Sequence, residues 1–532
     1  MVFTLQRYIF RELLRIFILA TIGLTLILSL GAILRPVQEY GVGPRQVVHI
    51  LIYFMPITLT FVLPMAALFA SALAYGRFAG DNEVDACRAS GISMLTLIYP
   101  GLALAVLVAI ANLLLSFHVM PYFVHLAEKL LKADAKQILF RNIDRRGYYG
   151  IRSSRYQIYA DHPDLKTDTL YGIVVVEASD EGIRRVVTSD ETRVQFDPCD
   201  NVVHLTTFNA RQMGAAANDM SGKVGEASFM VPFGSLLGDD IKFKKIEEMK
   251  RIRADLLRFG PIAELAHNVH TQLVTELLAR DLRERMAATP DGSYELVGPS
   301  LHVRLSGARW ELRERATITL TPAVANEPVR VEERNERTGT VRRLICEKVE
   351  IGVKEDAARP HVSLRLQNPR VQETGQLVVQ HALGPLAVPE RVGHRLGEQP
   401  LLHVAMSDAS GLLGGPSSAV LDKQQKELVR KVARTLTDIK AEVNSRLVFG
   451  IGCVPMILIG IGLGILQRGG HLLSAFGASC LPAAVLIVTI ISGKNITKNL
   501  GVQNSSGVVI MWAGLAFLLL LTAFIYGKLR RS

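Results

Sequence analysis

The chain has 532 residues, of which 49% are hydrophobic and only 20% are charged. Its mean hydropathy of +0.26 argues against a soluble protein with buried helices. The five cysteines do not form a disulfide framework, and the net charge of +11 suits a membrane protein or a protein that binds anionic lipid.

Six apolar stretches, three near each end of the chain, are long enough to cross a bilayer. A membrane-spanning helix needs about 20 apolar residues, and none of the six contains a charged residue. A cleaved signal peptide is the alternative for the first stretch, but signal-peptide cores are shorter, at about 7–15 residues. The sequence therefore predicts a membrane protein with an α-helical bundle of six transmembrane helices, three in residues 1–120 and three in residues 447–532. The stretches are 16–34, 51–74, 96–117, 447–466, 472–491 and 508–526.

Lysine and arginine near the ends of the stretches predict the orientation. They are more frequent on the side that the amino terminus shares with the loop after the second stretch, and such residues favour the cytoplasm. We expect a multi-pass protein of a bacterial inner membrane with both termini cytoplasmic. Long domains are translocated largely regardless of charge, so the region between the third and fourth stretches is expected in the periplasm.

This middle region, 121–446, is predicted to be a large, mostly β domain, jelly-roll-like and interrupted by helices. Short segments rich in Val, Ile, Thr and Tyr alternate with turn signals, as in sandwiches and barrels. Apolar residues at helical spacing predict helical segments near 241–288 and 421–445. The Gly- and Ser-rich segment 411–418 is expected to be a flexible loop.

The sequence contains little that suggests catalysis. It has no G-x-x-x-x-G-K-[ST] phosphate loop, no H-E-x-x-H and no G-x-S-x-G, so we predict no catalytic residue, metal or cofactor and no nucleic-acid partner. The absence of ionisable residues inside the stretches disfavours an ion-coupled carrier. Cys199 and Cys346 share the outer domain, where a disulfide between them and two free thiols are both open alternatives.

A charged segment between the second and third stretches, at 77–93, is more than a connector. Asp81 or Asn82 can cap a short helix with acids in its first turn, followed by Arg88 and by Gly91 as the stop. A tight turn would need only a few residues. A capped, charged helix here is what a permease needs in order to receive force from a cytoplasmic motor.

With these features the sequence resembles a known family, the LptF/LptG permease subunits of the lipopolysaccharide-export ABC transporter. The string Arg-Phe-x-x-Asp-x-Glu-x-x-Ala-x-Arg-Ala-x-Gly-Ile-Ser at 77–93 is similar to the family's coupling segment. The layout of three helices, β domain and three helices also matches. Segments 156–160 and 169–177 resemble the opening strands of its jelly roll, and Glu442 and Arg446 resemble its re-entry segment.

The resemblance implies partners and a mechanism. Two such permeases pair, a cytoplasmic ABC ATPase dimer binds and hydrolyses ATP, and lipopolysaccharide or a related glycolipid passes to a periplasmic jelly-roll bridge protein. The residues implied in ATPase coupling are Arg77, Asp81, Glu83 and Arg88, with Glu83 as the main contact.

Two further sets of residues are predicted to serve transport. Cations at the outer ends of the helices can meet lipid phosphates, although such residues are also common as membrane anchors. Glycines in the fourth stretch allow close helix packing, either within the bundle or against a partner permease. The candidate head-group ligands are Arg35, Arg45 and Arg446, and the packing glycines are Gly450, Gly460 and Gly464.

The outer domain is larger than is usual for the family, and the excess is expected within 236–422. This departure leaves the lipid cargo, the F or G type, the homo- or heterodimeric state and the role of the enlarged segment open. A mechanotransmitting ABC permease is disfavoured because that type has four spans with the outer domain after the first. A non-transport scaffold or receptor presenting a β domain is the remaining alternative.

Overall fold

The chain forms two compact units, Met1–Lys250 with Leu436–Ser532, and Arg251–Thr435. The computed structural model describes residues 2–40, 44–133, 135–150, 156–179, 182–197, 202–214, 222–232, 240–289, 292–313, 317–322, 328–336, 338–356, 359–376, 382–397, 399–466, 472–500 and 506–531.

Fourteen α-helices occur in these described residues. Helix α4 continues into α5 through a π-helical turn, Leu115–Val119, and 3-10 turns at Ile241–Phe243 and Leu256–Arg258 flank α7. The α-helices are α1 (Val2–Tyr40), α2 (Pro44–Gly80), α3 (Glu83–Ala89), α4 (Met94–Leu114), α5 (Met120–Ala133), α6 (Ala135–Arg146), α7 (Ile246–Ala254), α8 (Gly260–Ala288), α9 (Glu390–Leu396), α10 (Leu401–Met406), α11 (Ala409–Leu413), α12 (Ala419–Leu466), α13 (Leu472–Leu500) and α14 (Ser506–Arg531).

The described strands are all paired antiparallel in three sheets. The first sheet has the order β1-β2-β4-β5-β6-β7, with β3 paired to β4, and the other two have the orders β10-β11-β14-β15-β17 and β16-β13-β12-β9-β8. The strands are β1 (Tyr148–Gly150), β2 (Tyr156–Tyr159), β3 (His162–Asp164), β4 (Thr169–Ser179), β5 (Gly182–Asp197), β6 (Val202–Gly214), β7 (Gly222–Pro232), β8 (Tyr294–Val297), β9 (Leu301–Ser306), β10 (Ala308–Arg313), β11 (Thr317–Pro322), β12 (Val329–Asn335), β13 (Val341–Cys346), β14 (Lys348–Asp356), β15 (Arg359–Gln367), β16 (Arg370–Val371) and β17 (Ala382–Ala387).

Six stretches of helix among the described residues are long and apolar enough to cross a membrane. They lie in α1, α2, α4 with its continuation into α5, α12, α13 and α14. The predicted bundle of six membrane helices with a large, mostly β region is therefore confirmed. The predicted helix 421–445 and the fourth predicted span form one helix, α12, of 48 residues.

The first sheet has one face covered by helix α6. Ile138, Leu139, Phe140 and Ile143 of α6 are buried against alternate residues of the strands, such as Val175. This alternation is the pattern of a sheet with one buried face. Leu51 and Phe54 at the start of the second membrane stretch pack against the same core, so the sheet and the bundle are parts of one unit.

The second unit is built around α8, which is buried on several faces because Val269, Leu273, Leu277 and Leu282 carry its helical apolar spacing. Strands β8 to β15 alternate in pairs between the two five-stranded sheets, as they do in a sandwich. Gly260 and Pro261 begin α8, a position where proline is favoured because its missing N–H has no helical acceptor.

The segment 411–418 differs from its prediction as a flexible loop. Part of it belongs to α11, and Arg280 of α8 donates hydrogen bonds of 2.5 Å to the carbonyl oxygens of Leu413 and Pro416. The buried carboxylate of Glu276 also accepts from the backbone N–H of Ser418 at 3.2 Å. These contacts hold the segment against α8, a connection that glycine and serine content cannot reveal.

Candidate functional site

The charged helix α3 joins α2 to α4 at one end of the bundle, here called the α3 end. Glu83 and Asp85 lie in its first turn and Arg88 in its last, which matches the helix dipole. The helix begins after Asn82, whose side chain makes no capping hydrogen bond, and it is shorter than the predicted 77–93 because residues 77–80 belong to α2.

Helix α3 ends in a Schellman motif. Gly91 has a positive φ of 81°, its N–H donates to the carbonyl of Arg88, and the N–H of Ile92 donates to the carbonyl of Cys87, both at 3.0 Å. Such an end favours glycine at the left-handed position. Ser93 then caps α4 by accepting from the N–H of Thr96. Helix α3 therefore has a defined length between two membrane helices.

Three of the four predicted coupling residues are exposed at this helix, namely Asp81, Glu83 and Arg88. No ion pair of these three side chains occurs within the described part of the chain. Val84, only 4% exposed, packs into the core of the bundle on the other side of α3. The helix is thus fixed by an apolar contact and presents its charges to solvent.

Arg77, the fourth predicted coupling residue, has a different position. It lies in the last turn of α2, and its Nη2 is 2.7 Å from Oε1 of Glu12 in α1. The Arg77 side chain is still half exposed, whereas that of Glu12 is 19% exposed. Arg77 therefore connects α1 to α2 beside α3, and half of its side chain stays accessible to solvent.

The predicted packing glycines of α12 contact helices of the same chain. A Cβ atom at Gly464 would lie 2.7 Å from the carbonyl oxygen of Ala72 and 2.9 Å from the backbone nitrogen of Gly76, both in α2. Gly460 contacts α2 in the same way, at Ser71 and Leu68. These small residues let the two backbones approach closely.

Gly450 faces a different helix. A Cβ atom there would clash with the side chain of Leu113 in α4. The glycines of α12 thus serve the bundle itself, and α12 is in close contact with α2 near the α3 end. Ser71 of α2 supports this contact with a hydrogen bond of 3.3 Å to the carbonyl oxygen of Ile457.

At the opposite end of the bundle, here called the sheet end, Arg446 of α12 is almost fully buried, with 4% of its side chain exposed. Its Nε donates to Oε1 of Glu442 at 3.0 Å. Its Nη1 donates to the carbonyl oxygens of Ser116 at 3.0 Å and Lys244 at 3.3 Å. Its Nη2 donates to the carbonyl oxygen of Lys242 at 2.7 Å. We call Arg446 with these partners the arginine clamp.

The π-helical turn explains why the carbonyl of Ser116 is available. The N–H of Met120 donates to the carbonyl of Leu115, five residues earlier, whereas in an α-helix it would donate to that of Ser116. A buried carbonyl without a donor is unfavourable, and Arg446 supplies the donor. Its guanidinium also lies 5.8 Å from the ring centre of Phe117. The clamp therefore stabilises the point where α4 leads into α5.

Helices α12 and α13 are linked beside the clamp by two ion pairs. The Nζ of Lys494 lies 2.8 Å from Oε2 of Glu442, and the Nζ of Lys498 lies 3.2 Å from Oδ1 of Asp438. Both acids and both lysines are four residues apart, one helical turn, as expected for two antiparallel helices. The spacing was visible in the sequence, but we did not predict this pair of contacts.

The predicted head-group ligands are not brought together in the described residues. The side chains of Arg35 and Arg45 lie outside the described part, so that prediction stays open for them. Arg446 is buried, and three of its nitrogens already donate to protein oxygens, so its position favours a structural role. Lys494, with 30% of its side chain exposed, is a more accessible cation at this end.

Helix α7 is attached to α5 at the sheet end. His125 Nε2 lies 3.4 Å from Oε2 of Glu248, which also accepts from the N–H of Lys245 at 3.1 Å, half of a capping box. Partial burial opposes ionisation, but the N–H of Lys245 and the charges of His125 and Lys244 lower the pKa of Glu248 below its usual value.

The alternative of a disulfide between Cys199 and Cys346 is not realised. Cys346 is a free thiol, buried in β13 opposite Val329 in β12, so its sulfur lies within the core of the second unit. Burial raises the pKa of this thiol to about 12. Cys199 lies outside the described residues.

The six apolar helices point to a multi-pass membrane protein. Residues 7–234 match the sequence model of the family described as lipopolysaccharide export system permease LptF/LptG. This part of the chain, from α1 to the first sheet, is similar to the LptF/LptG permease family. No curated protein matches the chain. The family match ends before the second unit begins at Arg251.

Proposed function

We propose that the chain is the permease subunit of an ABC transporter that extracts lipopolysaccharide, or a similar large glycolipid, from the bacterial inner membrane. A separate cytoplasmic ATPase dimer supplies the energy, and a second permease of the same family completes the membrane channel. The lipid passes to a periplasmic β bridge protein. Both termini and α3 lie in the cytoplasm, and the β sheets lie in the periplasm.

The observation that supports this proposal best is the combination of exposed charge and buried anchor in α3. Asp81, Glu83 and Arg88 form a polar surface for the ATPase, while Val84 fixes the helix to the bundle. A segment that only connected two membrane helices would not need to form a helix that ends in a Schellman motif. The ATPase therefore pushes on α3, and Val84 carries the displacement into α2.

The contacts of α12 support transmission of this displacement beyond α2. Gly460 and Gly464 bring α12 into van der Waals contact with α2 near the α3 end. At the sheet end, Arg446 links the same helix to the π-helical turn and to Lys242 and Lys244, which precede α7. One helix thus connects the ATPase side with both chain segments that flank the first sheet.

A charge reversal tests the proposal. Glu83→Lys is expected to weaken association with the partner ATPase by at least tenfold, because a cation replaces the main acidic contact. Glu390→Lys is the matched control, since Glu390 is likewise an exposed acid at the start of a seven-residue helix, α9. Co-purification and lipid release to a bridge protein are measured. Normal association and transport in Glu83→Lys would refute the assignment.

Native mass spectrometry of the complex from its own membrane tests the whole assembly. The expected species contains the 58.4 kDa chain, two copies of an ATPase, a second permease and a glycolipid. A chain that retains only ordinary phospholipid in several detergents, with no ATPase, would contradict the export function and favour a scaffold.

A further inference from the structure

The second unit carries a cationic cavity that the family match does not cover. The cavity has a volume of about 560 Å³ and lies on the outward face of the sheet formed by β8, β9, β12, β13 and β16. Six of its lining residues matter here: Arg304, Arg330, Arg343, Glu332, Ser293 and Gln372.

The strand register explains why the three arginines lie together. Arg304 in β9 and Arg343 in β13 both pair with Glu332 of β12, and Arg330 lies two residues before Glu332 on the same strand. Residues two apart share a face, and neighbouring strands are about 4.8 Å apart. The opposite face is the core side, where Val331 and Leu344 are buried. The guanidinium groups therefore project from adjacent strands into one area.

The charges in this area do not cancel. Glu332 lies 3.8 Å from Arg343, and outside the lining Glu295 lies 3.7 Å from Arg304. Such long, solvent-exposed ion pairs contribute little and exchange readily. Arg330 is exposed and has no ion pair within the described residues. Among the lining side chains, three guanidiniums face one carboxylate.

Neutral polar groups surround the cations and are held in place. The Nη2 of Arg304 donates to the hydroxyl of Ser293 at 3.1 Å, so this guanidinium is oriented. The backbone N–H of Gln372 donates to the carbonyl of Arg343 at 2.9 Å. This hydrogen bond fixes the backbone of Gln372, which lines the cavity. No aromatic side chain is among the described residues that line the cavity, so a neutral sugar finds no ring to stack on.

We propose that this cavity binds an acidic saccharide, a sugar that carries a phosphate or carboxylate group. Guanidinium forks bind phosphate and carboxylate oxygens in pairs of hydrogen bonds. Ser293, Gln372 and the carboxylate of Glu332 have the donors and acceptors that sugar hydroxyls require. The volume is within the about 300–1,000 Å³ of small-molecule sites. The proposal rests on the proposed function and deepens it, because a glycolipid cargo carries a saccharide.

Calorimetry on the full-length chain in detergent tests the site without any ATPase. Glucose 1-phosphate or glucuronate is expected to bind at least tenfold more tightly than inorganic phosphate, and glucose is expected not to bind. The stronger of the two acidic sugars identifies the anionic group that the cavity prefers. Inorganic phosphate binding as tightly as either sugar acid would reduce the cavity to an adventitious anion site and overturn the proposal.

Variants locate the binding. Arg330→Gln and Arg343→Gln are expected to weaken sugar-acid binding at least tenfold, and the folding of both is secured by their outward position on the sheet. Arg365→Gln, which removes an exposed arginine from the other sheet of the unit, is expected to bind normally. Equal affinity in all three variants would overturn the site. Sugar binding by a natural chain that associates with no ATPase and exports no lipid would leave this site standing when the proposed function fails.

Discussion

The arginine clamp makes a quantitative prediction, because replacement of Arg446 by methionine removes a buried cation but keeps the apolar length of the side chain. The carboxylate of Glu442 would lose its hydrogen bond from Arg446, and the carbonyls of Ser116, Lys242 and Lys244 would lose their donor. Removal of one partner from a buried ion pair costs about 3–5 kcal/mol. We therefore expect Arg446→Met to destabilise the sheet end by about this amount.

Hydrogen–deuterium exchange measures this effect locally, which matters because a chain with two units need not unfold in one step. The amides of Phe243 and Lys244 are protected by 3-10 hydrogen bonds of 3.0 and 3.1 Å, which the clamp supports. A loss of about 3 kcal/mol corresponds to exchange about 100-fold faster. Peptides from 115–120 and 240–250 are expected to show it.

Two further variants make the result specific. Arg430→Met, at an exposed position of the same helix, is expected to change exchange little, because surface substitutions stay within about 0.5 kcal/mol. The double variant Arg446→Met with Glu442→Gln is expected to recover part of the loss, because it removes a buried carboxylate that keeps only Lys494 as its partner in the single variant, and because Lys494 can reach water. If Arg446→Met exchanges like Arg430→Met, the clamp does not hold the sheet end together.

Three other predictions concern separate parts of the molecule. Gly464→Leu is expected to lower the free energy of unfolding in detergent by about 1–3 kcal/mol through overpacking. Gly23→Leu is expected to change it little, because a Cβ atom added at Gly23 meets nothing within 4 Å. Equal losses in the two variants would contradict the close α2–α12 contact. Because the pKa of Glu248 is lowered from its ordinary 4.5, its contribution to stability is complete above pH 4.5 and is lost as the pH falls through the folded-state pKa. The difference in melting temperature between the natural chain and Glu248→Gln is thus expected to shrink in acid, and a constant difference would argue against the hydrogen bond from the N–H of Lys245 and the contact with His125. Cys346 is expected to resist alkylation in the folded chain and to react in denaturant, because burial raises the pKa of its thiol to about 12. Rapid labelling of Cys346 at pH 8 without denaturant would show that the core of the second unit opens.

Local patterns predicted the helices and much of the β region. Hydrophobic length marks a membrane helix whatever its neighbours are, and the spacing of Leu273 and Leu277 identified α8. The short helix α3 could also be predicted, because acids, Arg88 and Gly91 follow the order that a short helix requires. Each of these signals lies within about 20 residues of sequence.

The role of Arg446 was not accessible in this way. Its partners Ser116 and Lys242 are 330 and 204 residues away in sequence, and they contribute backbone carbonyls that any residue type could supply. The π-helical turn that frees one of these carbonyls leaves no mark in the residue pattern. An arginine at a membrane boundary was therefore interpreted as a head-group ligand. The partner of Gly464 was undecidable for a related reason, since glycine permits a close contact without specifying it.

The two ends of α12 differ in the kind of contact they make, and this difference predicts where the bundle bends. At the α3 end, Gly464 meets α2 through van der Waals contact, which allows small sliding movements. At the sheet end, hydrogen bonds and ion pairs fix Arg446 and Glu442 in direction as well as distance. Gly464 lies 18 positions after Arg446 in the same helix, a separation of about 27 Å, so a push on α3 should pivot the helices about the clamp.

Spin labels on exposed positions distinguish this pivot from a movement of the whole bundle. One pair, at Leu95 and Lys528, reports on the α3 end, and a second pair, at Lys129 and Val509, reports on the sheet end. If the chain works with an ATPase as proposed, nucleotide added to the complex is expected to shift the first distance distribution and to leave the second unchanged. Equal shifts in both pairs would show that the clamp is not a fixed point. In Arg446→Met, nucleotide is expected to shift both distance distributions, because the pivot depends on the charge network of the clamp and not on the helix alone.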